Sequence, residues 1–401
     1  MRRRDYAEGV VSSVFKSFGY GKVLSPAFEH TELFRRKSGE EISEHMYVFE
    51  DKGKRSLCLR PEETASVCRM FVQDLRSRQL PLKLYYHCPM YRYEEPQKGR
   101  YREFWQTGVE LIGSSRPESD AEVVMMACEA LLKLGLEYTL NISHIGVLRG
   151  LLSEVGLDEV GQDKAISGID KKGADGVGDL KGGDALRSIL RLEGGAQAMK
   201  EAMRMLEGHE KPLTALEELR KVSVLLDSGK ADYRVKLGMA RGLEYYTGMI
   251  FEVRVAGLGA QDQVCGGGRY DNLIELFGGP KTPAVGFAFG FDRLLEAMEQ
   301  QGACFPEKDL DVYVACASDA VRPDAQRIAS DLRRGLEGRS VELELLGRKL
   351  GKALEHASNL KARYAVIVGP DELKNESVTL RNMDSGEQRM VRITDLAKLI
   401  D

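Results

Sequence analysis

The sequence lacks any apolar run long enough to cross a membrane, and its seven cysteines are scattered without a C-x-x-C pair. A spanning helix needs about 20 consecutive apolar residues, while disulfide scaffolds and structural zinc sites need closely spaced cysteines. The basic N-terminus, MRRRDYAEG, has no apolar core behind it and so differs from a signal peptide. These absences predict a cytoplasmic protein with no membrane partner and with reduced, mostly buried thiols.

A strong excess of charge is also missing. The net charge is -4 in a chain of 401 residues, of which 43% are hydrophobic and 30% charged. Such proportions are those of an ordinary globular protein, and the length allows two or three domains. The near-neutral balance neither supports nor excludes RNA as a partner, because nucleic acid can bind through local basic patches.

The most informative stretch is 90–113, which reads MYRYEEPQKGRYREFWQTGVELIG. Two segments rich in aromatic and β-branched residues flank a polar loop with Pro96 and Gly99, a pattern typical of a β-hairpin. Side chains alternate between the faces of a strand. The alternation therefore places these residues on one face: Arg92, Glu94, Phe104, Gln106 and Glu110. It places these on the apolar face: Trp105, Thr107, Val109 and Leu111.

The polar face of this hairpin suits a ligand with both phosphate and amine groups. It combines a guanidinium, carboxylates, an amide and an aromatic ring, with Lys98, Arg100 and Arg102 on the loop above. The alternative is a solvated charged hairpin, since one face of an antiparallel sheet is commonly exposed to water.

Three further segments supply complementary chemistry. The run 60–64 (RPEET) predicts a helix start with Pro61 in its first turn, where Glu62 is either a capping group or a ligand. The glycines at 266–268 let a backbone approach a ligand closely, with Arg269 bearing on an anion, although most glycine clusters are turns. Arg293, early in a predicted helix, is either a phosphate or carboxylate clamp or a surface group.

Hydrophobic periodicity divides the chain into regions. The spacing predicts a helix over 5–18, a hairpin over 46–59, a capping box at 119–122 that starts a helix, and a strand over 137–143. From 145 to 235, leucines at helical spacing predict a helical insertion. Strand patterns return at 236–302, with Tyr245 and Tyr246 on a strand. Alternating strands and helices over 311–368 then predict a small α/β layer with parallel strands, to which 378–381 and 389–393 add two strands.

Together these motifs resemble class II aminoacyl-tRNA synthetases and, within them, the histidyl-tRNA synthetase family. The specific matches are RPEET at 60–64, RYEEPQKG at 92–99, RGLEYY at 241–246, and GGGRYD at 266–271 with the segment around Arg293. The resemblance covers nearly the whole chain. It implies an α+β fold: an antiparallel sheet flanked by helices in a catalytic domain made of 1–144 and 236–302, a helical insertion at 145–235, and a C-terminal α/β anticodon-binding domain at 309–401.

The resemblance also implies an activity: ATP-dependent activation of histidine to histidyl-adenylate, with Mg2+ on the ATP phosphates, and transfer to tRNA(His) by a homodimer built through the Pro26 region. The implied catalytic residues are Arg92, Arg241 and Arg293. The implied ATP-binding residues are Arg92, Glu94, Arg100, Phe104 and Arg293. The implied histidine-binding residues are Glu62, Thr64, Gln106, Glu110, Arg241, Tyr245, Tyr246 and Tyr270. Gln97 corresponds to the position that meets the tRNA acceptor end.

Two alternatives and two departures accompany this interpretation. A histidine-sensing paralogue, the regulatory subunit of ATP phosphoribosyltransferase, is expected to lack the phosphate-binding arginines and usually the C-terminal domain, which are present here. A prolyl or threonyl enzyme is disfavoured by the paired tyrosines and by the absence of zinc-ligand spacing. Glu63 and Glu95 stand where many relatives carry glycine and arginine, and the sequence gives no reason for either.

Overall fold

A computed structural model describes residues 1–35, 44–95, 101–177, 183–240, 245–259, 262–303, 305 and 310–400, with 183–185 as backbone only. It divides into two compact units, Met1–Cys304 and Phe305–Asp401. Three residues with expected roles, Gln97, Arg100 and Arg241, lie outside the described residues. None of the described helices is both long and apolar enough to cross a membrane.

The larger unit combines helices with two sheets. Its helices are α1 (Arg2–Ser17), α2 (Thr31–Arg35), α3 (Thr64–Met70), α4 (Pro117–Lys133), α5 (Ile145–Glu154), α6 (Glu159–Lys172), α7 (Gly183–Leu190), α8 (Ala196–Met205), α9 (Glu210–Ser228), α10 (Leu273–Leu276) and α11 (Phe291–Gln300), with a π-helical turn at Phe71–Leu75 and a 3-10 turn at Gly173–Val177. Its strands are β1 (Gly21–Lys22), β2 (Phe28–His30), β3 (Val48–Glu50), β4 (Ser56–Leu59), β5 (Leu82–Tyr91), β6 (Glu103–Ile112), β7 (Thr139–His144), β8 (Glu193–Gly194), β9 (Arg234–Lys236), β10 (Met249–Arg254), β11 (Gln263–Arg269) and β12 (Ala284–Gly290).

The main sheet is nine-stranded, in the order β1-β5-β6-β12-β11-β10-β7-β9-β8. The pairs from β5 to β7 in this order are all antiparallel, whereas β1 and β9 join β5 and β7 in parallel. The predicted hairpin forms the β5–β6 pair, in register with Leu84 opposite Glu110 and Tyr91 opposite Glu103. A second sheet, ordered β2-β4-β3, contains the hairpin predicted over 46–59. The antiparallel sheet with helices confirms the α+β prediction.

Helix α1 packs on the apolar face of the β5–β6 hairpin. Phe15 is fully buried, and its ring lies edge-on to Tyr85 of β5 at 5.7 Å and to Phe287 of β12 at 5.9 Å. Val109 of β6 is also fully buried, as the alternation predicts. The helix ends before Gly19, which adopts φ +85, a conformation that glycine tolerates without strain. The opposite face of the hairpin is thereby left for a ligand site.

Several local predictions about element boundaries were wrong. The proposed capping box does not start α4: the helix begins at Pro117, and the Ser119 hydroxyl donates to Ser114 Oγ at 2.5 Å. Proline suits this first position because its missing N–H needs no partner there. Helix α3 begins at Thr64, so Pro61 precedes it. Tyr245 and Tyr246 also lie before their strand, since β10 begins at Met249.

The smaller unit is an α/β layer. Its strands are β13 (Leu310–Cys316), β14 (Val341–Leu343), β15 (Ala362–Val368), β16 (Ser377–Asn382) and β17 (Gln388–Arg392), in the order β14-β13-β15-β16-β17. Its helices are α12 (Arg322–Gly335), α13 (Leu350–Asn359) and α14 (Pro370–Lys374), with 3-10 turns at Asp319–Val321 and Ile393–Leu399. Strand β13 is buried along its whole length and is parallel to both neighbours. Strands covered on both faces read as continuous apolar runs, and this one was predicted correctly.

The six described cysteines are buried and free. This finding agrees with the prediction of reduced, buried thiols for those six. Cys304 lies outside the described residues.

Candidate active site

A cavity of about 570 Å³ opens on the polar face of the sheet. Its walls come from the start of α3, the β5–β6 hairpin, strands β10 to β12, the start of α11 and part of the helical region. Ten of the residues singled out from the sequence line it: Glu62, Thr64, Arg92, Glu94, Phe104, Gln106, Tyr245, Tyr246, Tyr270 and Arg293. The structure therefore brings together segments that lie up to about 230 residues apart in the sequence, because strand pairing sets β6, β12 and β11 side by side.

Glu110 lies behind the cavity wall and is not among the residues that line it, but it is bonded to two that are, Thr64 and Tyr270. Only 1% of the residue is exposed, and both carboxylate oxygens accept hydrogen bonds. The Thr64 hydroxyl donates to Oε1 at 2.7 Å, and the Tyr270 hydroxyl donates to Oε2. Burial disfavours the charged form and raises the pKa of Glu110 to about 8, although the two hydroxyl donors oppose this shift. A buried carboxyl group with ordered donors can discriminate sharply among ligands by hydrogen bonding.

Gly286 of β12 makes room for the Glu110 carboxylate. A Cβ atom at position 286 would lie 2.1 Å from Glu110 Oε2. No side chain larger than hydrogen fits there without displacing the carboxylate. The small-residue pattern of β12 thus permits the Glu110 carboxylate to lie directly behind the cavity wall.

The position of Glu62 is compatible with both roles considered from the sequence, a helix cap and a ligand-binding group. Its carboxylate accepts hydrogen bonds from the backbone N–H groups of Thr64 at 2.7 Å and Ala65 at 3.0 Å, at the start of α3. It therefore caps the helix, whose N-terminal N–H groups would otherwise lack acceptors. The same side chain lines the cavity, and burial raises its pKa while these N–H groups and Arg92 oppose the rise.

Arg92 and Arg293 bring positive charge to the cavity. Arg92 and Glu94 follow the end of β5 at Tyr91, so the prediction that they lie on a strand was wrong, although both line the cavity. The Arg92 guanidinium donates from Nε to the Pro61 carbonyl oxygen at 2.9 Å and lies 5.2 Å from the Phe104 ring centroid. Arg293, in the first turn of α11, donates from Nη1 to the Gln263 carbonyl oxygen at 3.3 Å.

Three buried tyrosines form one wall of the cavity. The ring of Tyr245 lies 4.9 Å from that of Tyr246 and 5.7 Å from that of Tyr270. Burial raises the pKa of Tyr245 and of Tyr270, so both phenols stay protonated at neutral pH and can donate hydrogen bonds. This wall adjoins Glu110 through the Tyr270 hydroxyl.

Arg269 does not face the cavity, which corrects the expectation that it bears on an anion. Its guanidinium donates to Asp120 from Nη2 at 2.8 Å and from Nε at 3.0 Å, and its Nη1 lies 3.1 Å from Asp271. Two of the three glycines before it serve strand packing: a Cβ at Gly267 would lie 2.3 Å from the Gly286 oxygen, and one at Gly268 would lie 2.6 Å from the Met249 oxygen. Gly266 alone of the three lines the cavity.

Glu63 is explained by the structure. It is fully buried and pairs with the guanidinium of Arg60 at 3.4 Å, while its Oε1 accepts the backbone N–H of Ser25 at 3.2 Å. Arg60 Nη1 also donates to the Ser25 carbonyl oxygen at 2.7 Å. Burial raises the pKa of Glu63 to about 7, and Arg60 opposes this rise. The pair fastens the segment before β2 to the start of α3. Glu95 is exposed, and nothing in the structure explains it.

Several cavity residues were missed by the sequence analysis. They are His45, Tyr101, Asp170, Lys236, Glu252, Arg254, Gln263 and Asp292. Glu252 and Arg254 carried a signal, since their spacing of two on β10 puts both on one face of a strand. They form an ion pair at 2.8 Å, and Arg254 also binds Asp262 at 2.9 Å. Of the others, His45 and Tyr101 lie in loops, Asp170 lies on α6, and Lys236, Gln263 and Asp292 lie at the ends of β9, β11 and α11, where periodicity is weakest.

Comparison with known proteins places this geometry in a wider context. Residues 1–294 match the family model described as Histidyl-tRNA synthetase, and residues 311–401 match the model described as Anticodon binding domain. The histidine–tRNA ligase of Archaeoglobus fulgidus is 43% identical over 411 residues, which cover 100% of this chain and 96% of the relative. That of Methanocaldococcus jannaschii is 40% identical over 404 residues, which cover 99% and 95%.

Solved structures of histidyl-tRNA synthetases are also similar to this chain. The apo histidyl-tRNA synthetase of S. aureus has a TM-score of 0.71 at 28% identity, covering 100% of this chain and 95% of that one. A Bacillus halodurans C protein described as an ATP phosphoribosyltransferase regulatory subunit/histidyl-tRNA synthetase has a TM-score of 0.77 at 27% identity, covering 92% and 94%.

An antiparallel sheet that carries a cavity with acidic, aromatic and arginine side chains, followed by a matched anticodon-binding domain, defines a class II aminoacyl-tRNA synthetase. The family match covers well over half of the chain, and the curated relatives extend over all of it. The chain belongs to the histidyl-tRNA synthetase family.

Proposed function

We propose that this chain activates histidine with ATP, releasing pyrophosphate and forming histidyl-adenylate, and then transfers the histidyl group to tRNA(His). Family membership supports the proposal. The observation that carries it is the meeting in one cavity of a buried carboxyl group, Glu62, with two arginines, Arg92 and Arg293. The first suits a ligand with nitrogen donors, and the other two suit phosphates.

The histidine end of the cavity is the acidic and aromatic end. Glu110 and Tyr246 recognise the imidazole, with Tyr245 and Tyr270 close by, because leaving these groups unpaired in a dry pocket penalises amino acids without ring nitrogens. Three side chains hold the α-amino group: Glu62, Thr64 and Gln106. The carboxylate of Glu62 and the hydroxyl of Thr64 both lie at the N-terminus of α3, on the same cavity wall.

The ATP end lies beside the hairpin and α11. Phe104 stacks on adenine with Glu94 near its amino edge, Arg92 binds the α-phosphate and Arg293 the distal phosphates. The 5.2 Å approach of the Arg92 guanidinium to the Phe104 ring supports this arrangement, because it sets a cation next to a stacking surface. Arg100, assisting at the phosphates, and Arg241, at the histidine carboxylate, are assigned by family resemblance.

The chemistry needs positioning and charge stabilisation. A carboxylate oxygen of histidine attacks the α-phosphorus, a new oxygen–phosphorus bond forms, and the bond to the bridging oxygen breaks, so that pyrophosphate leaves with the electron pair. Arg92, Arg241 and Arg293 stabilise the negative charge on the phosphate oxygens in the transition state. The described residues contain no cluster of three His, Cys, Asp or Glu side chains suited to a metal ion. From the family resemblance we propose that Mg2+ enters on the phosphates of ATP, where it would neutralise charge.

Transfer to tRNA uses both units of the chain. The terminal ribose hydroxyl attacks the carbonyl carbon of the adenylate and displaces AMP. Gln97 meets the acceptor end, and the α/β unit, whose residues 311–401 match the anticodon-binding family, binds the anticodon. We propose the functional domains as 1–144 with 236–302 for catalysis, 145–235 as the insertion and 309–401 for the anticodon. Because translation consumes the product, we also propose a cytoplasmic location.

A homodimer is proposed through the region around Pro26 and the small β2-β4-β3 sheet. Four large apolar side chains there are exposed: Leu24 at 66%, Phe28 at 55%, Val48 at 47% and Phe49 at 42%. Phe28 and Phe49 share one face of the small sheet, because they pair with Leu59 and Leu57, two residues apart on β4. Exposed apolar side chains on one face support an interaction surface there, and we propose a second copy of the chain as the partner.

The decisive experiment is histidine-dependent exchange of pyrophosphate into ATP, measured without tRNA against a panel of other amino acids. Exchange with histidine alone is the expected result. If none of the amino acids supported exchange, the proposed activity would be overturned. If calorimetry still showed histidine binding in that case, the result would favour the alternative of a histidine-sensing regulatory subunit.

A further inference from the structure

Arg4 of α1 forms an ion pair with Asp292 at the start of α11. Arg4 Nη1 lies 2.5 Å from Asp292 Oδ1, and the two side chains are 27% and 19% exposed. Asp292 lines the cavity next to Arg293. We propose that Arg4 is a positioning residue for ATP: through Asp292 it fixes the spacing between Phe104 on β6 and Arg293 on α11. This inference rests on the proposed function.

Asp292 ties α11 directly to β6. Its second oxygen, Oδ2, accepts the backbone N–H of Trp105 at 2.8 Å. The β6–β12 pairing ends with Gly290 opposite Gln106, because the chain then turns into α11. The carboxylate therefore takes the place of a backbone carbonyl that a longer strand would have supplied, and it extends the pairing by one hydrogen bond.

This bond sits between the two groups assigned to ATP. Trp105 is the neighbour of Phe104, and Asp292 is the neighbour of Arg293. A shift of the Asp292 carboxylate relative to β6 thus changes the distance between the stacking ring and the phosphate-binding guanidinium. The histidine end is built on other contacts, at Glu110, and should be unaffected.

Arg4 is itself held by aromatic rings. Its guanidinium carbon lies 5.5 Å from the Trp105 ring centroid and 5.4 Å from that of Phe291. The ring of His87 lies 4.7 Å from both of these rings and fills the space between them. Such cation–ring contacts favour arginine over other residues, since the planar guanidinium stacks while its edge donates hydrogen bonds.

The burial of the Arg4 Nη2 atom indicates that the contact between Arg4 and Asp292 has a specific role. The atom is buried and has no hydrogen-bond partner among the described residues. A guanidinium normally satisfies its N–H groups when it is buried, so this one is placed by the rings and by Asp292 at some cost. A surface ion pair that only joined two helices would be expected to stay hydrated.

The same two helices supply a matched control. Arg3 precedes Arg4 on α1 and pairs with Glu299 of α11, also at 2.5 Å, but its side chain and that of Glu299 are 60% and 52% exposed. The two ion pairs thus join the same helices with the same charges. They differ in that Asp292 lines the cavity and binds the Trp105 N–H group, whereas Glu299 is near the far end of α11.

The test compares histidine-dependent pyrophosphate exchange by the wild type, Arg4→Ala, Arg4→Lys and Arg3→Ala, with ATP and histidine varied separately. We expect Arg4→Ala to raise the KM for ATP roughly tenfold and to leave the KM for histidine within about twofold, because displacement by a fraction of an ångström misaligns bound groups. Arg4→Lys should restore part of the loss, since it keeps the charge without the planar stacking. Arg3→Ala should behave as the wild type.

A second comparison isolates the ion pair. Asp292→Asn keeps an oxygen that accepts the Trp105 N–H group but loses the charge, so it should raise the KM for ATP as Arg4→Ala does. The double variant should be no worse than either single one, because both remove the same interaction.

The outcomes separate this inference from the proposed function. Wild-type exchange with an unchanged KM for ATP in Arg4→Ala would overturn the inference alone, as would an equal rise in the KM for both substrates. A lack of exchange by the wild type would refute the proposed activity instead. ATP binding to the same proteins, measured by calorimetry, would then still test the role of Arg4, since weaker ATP binding by Arg4→Ala but not Arg3→Ala is expected in either case.

Discussion

Replacing Glu110 with glutamine should change the pH dependence of stability in a direction that the structure fixes. Burial raises the pKa of this carboxyl group from its ordinary value of 4.5 to about 8. Between these two pH values the folded chain keeps a proton at Glu110 that the unfolded chain has released. Since stability rises with pH only where the unfolded state binds more protons, this group makes the wild type less stable as the pH rises through that window.

The size of the effect follows from the same two pKa values. Linkage gives a cost of about 1 kcal/mol at pH 5 and about 3 kcal/mol at pH 7 for the wild type. Glutamine does not titrate, and its carbonyl oxygen can still accept a hydrogen bond from Thr64 or Tyr270. The free energy of unfolding of Glu110→Gln relative to the wild type should therefore increase by about 2 kcal/mol between pH 5 and pH 7.

The assay can be confined to the unit that holds the site. Trp105 is the single tryptophan of the chain and lies in the larger unit, so tryptophan fluorescence during urea unfolding reports on that unit. Glu275→Gln, at an exposed position on α10, controls for the loss of one carboxylate. A difference between Glu110→Gln and the wild type that is equal at pH 5 and pH 7 would refute the reasoning. The same variant should weaken histidine selectivity more than ATP binding.

Three further predictions concern other parts of the structure. Glu63→Ala leaves the buried guanidinium of Arg60 without its acidic partner and should cost about 3 kcal/mol in the urea assay; full stability would contradict the pairing. Gly267→Ala sets a methyl group 2.3 Å from the Gly286 oxygen and should cost about 2 kcal/mol, whereas Gly9→Ala, on α1 with no atom within 4 Å of the added carbon, should cost nothing. Phe28→Glu should convert the proposed dimer to monomers in sedimentation experiments, and a wild type that sediments as a monomer would exclude the dimer.

Much of the cavity could be predicted from residue spacing. Phe104, Gln106 and Glu110 share a face because strand side chains repeat with a period of two, and the pairing of β5 with β6 confirms the hairpin. The small, apolar run before Arg293 likewise led correctly into a helix. These predictions depend on neighbours along the chain, and local sequence carries that information.

Predictions failed mainly where a partner lay far away in the sequence, and in one case where a second local signal competed. Arg269 was expected to meet an anion, but its acidic partner, Asp120, is 149 residues away and no pattern links the two. The capping box failed because Pro117 offers a better helix start two residues earlier. Glu63 had no explanation until Ser25 and Arg60 were found packed around it.

Three features could be read from residues a few positions apart: the order of the elements, the face of the hairpin that carries polar groups, and the family motifs. Which charged groups face the cavity, and which form buried ion pairs, became known from the fold. A pairing such as Arg269 with Asp120 or Arg4 with Asp292 depends on how strands and helices from distant parts of the chain pack together. Burial then sets the protonation of groups such as Glu110, and burial is a property of the fold as a whole.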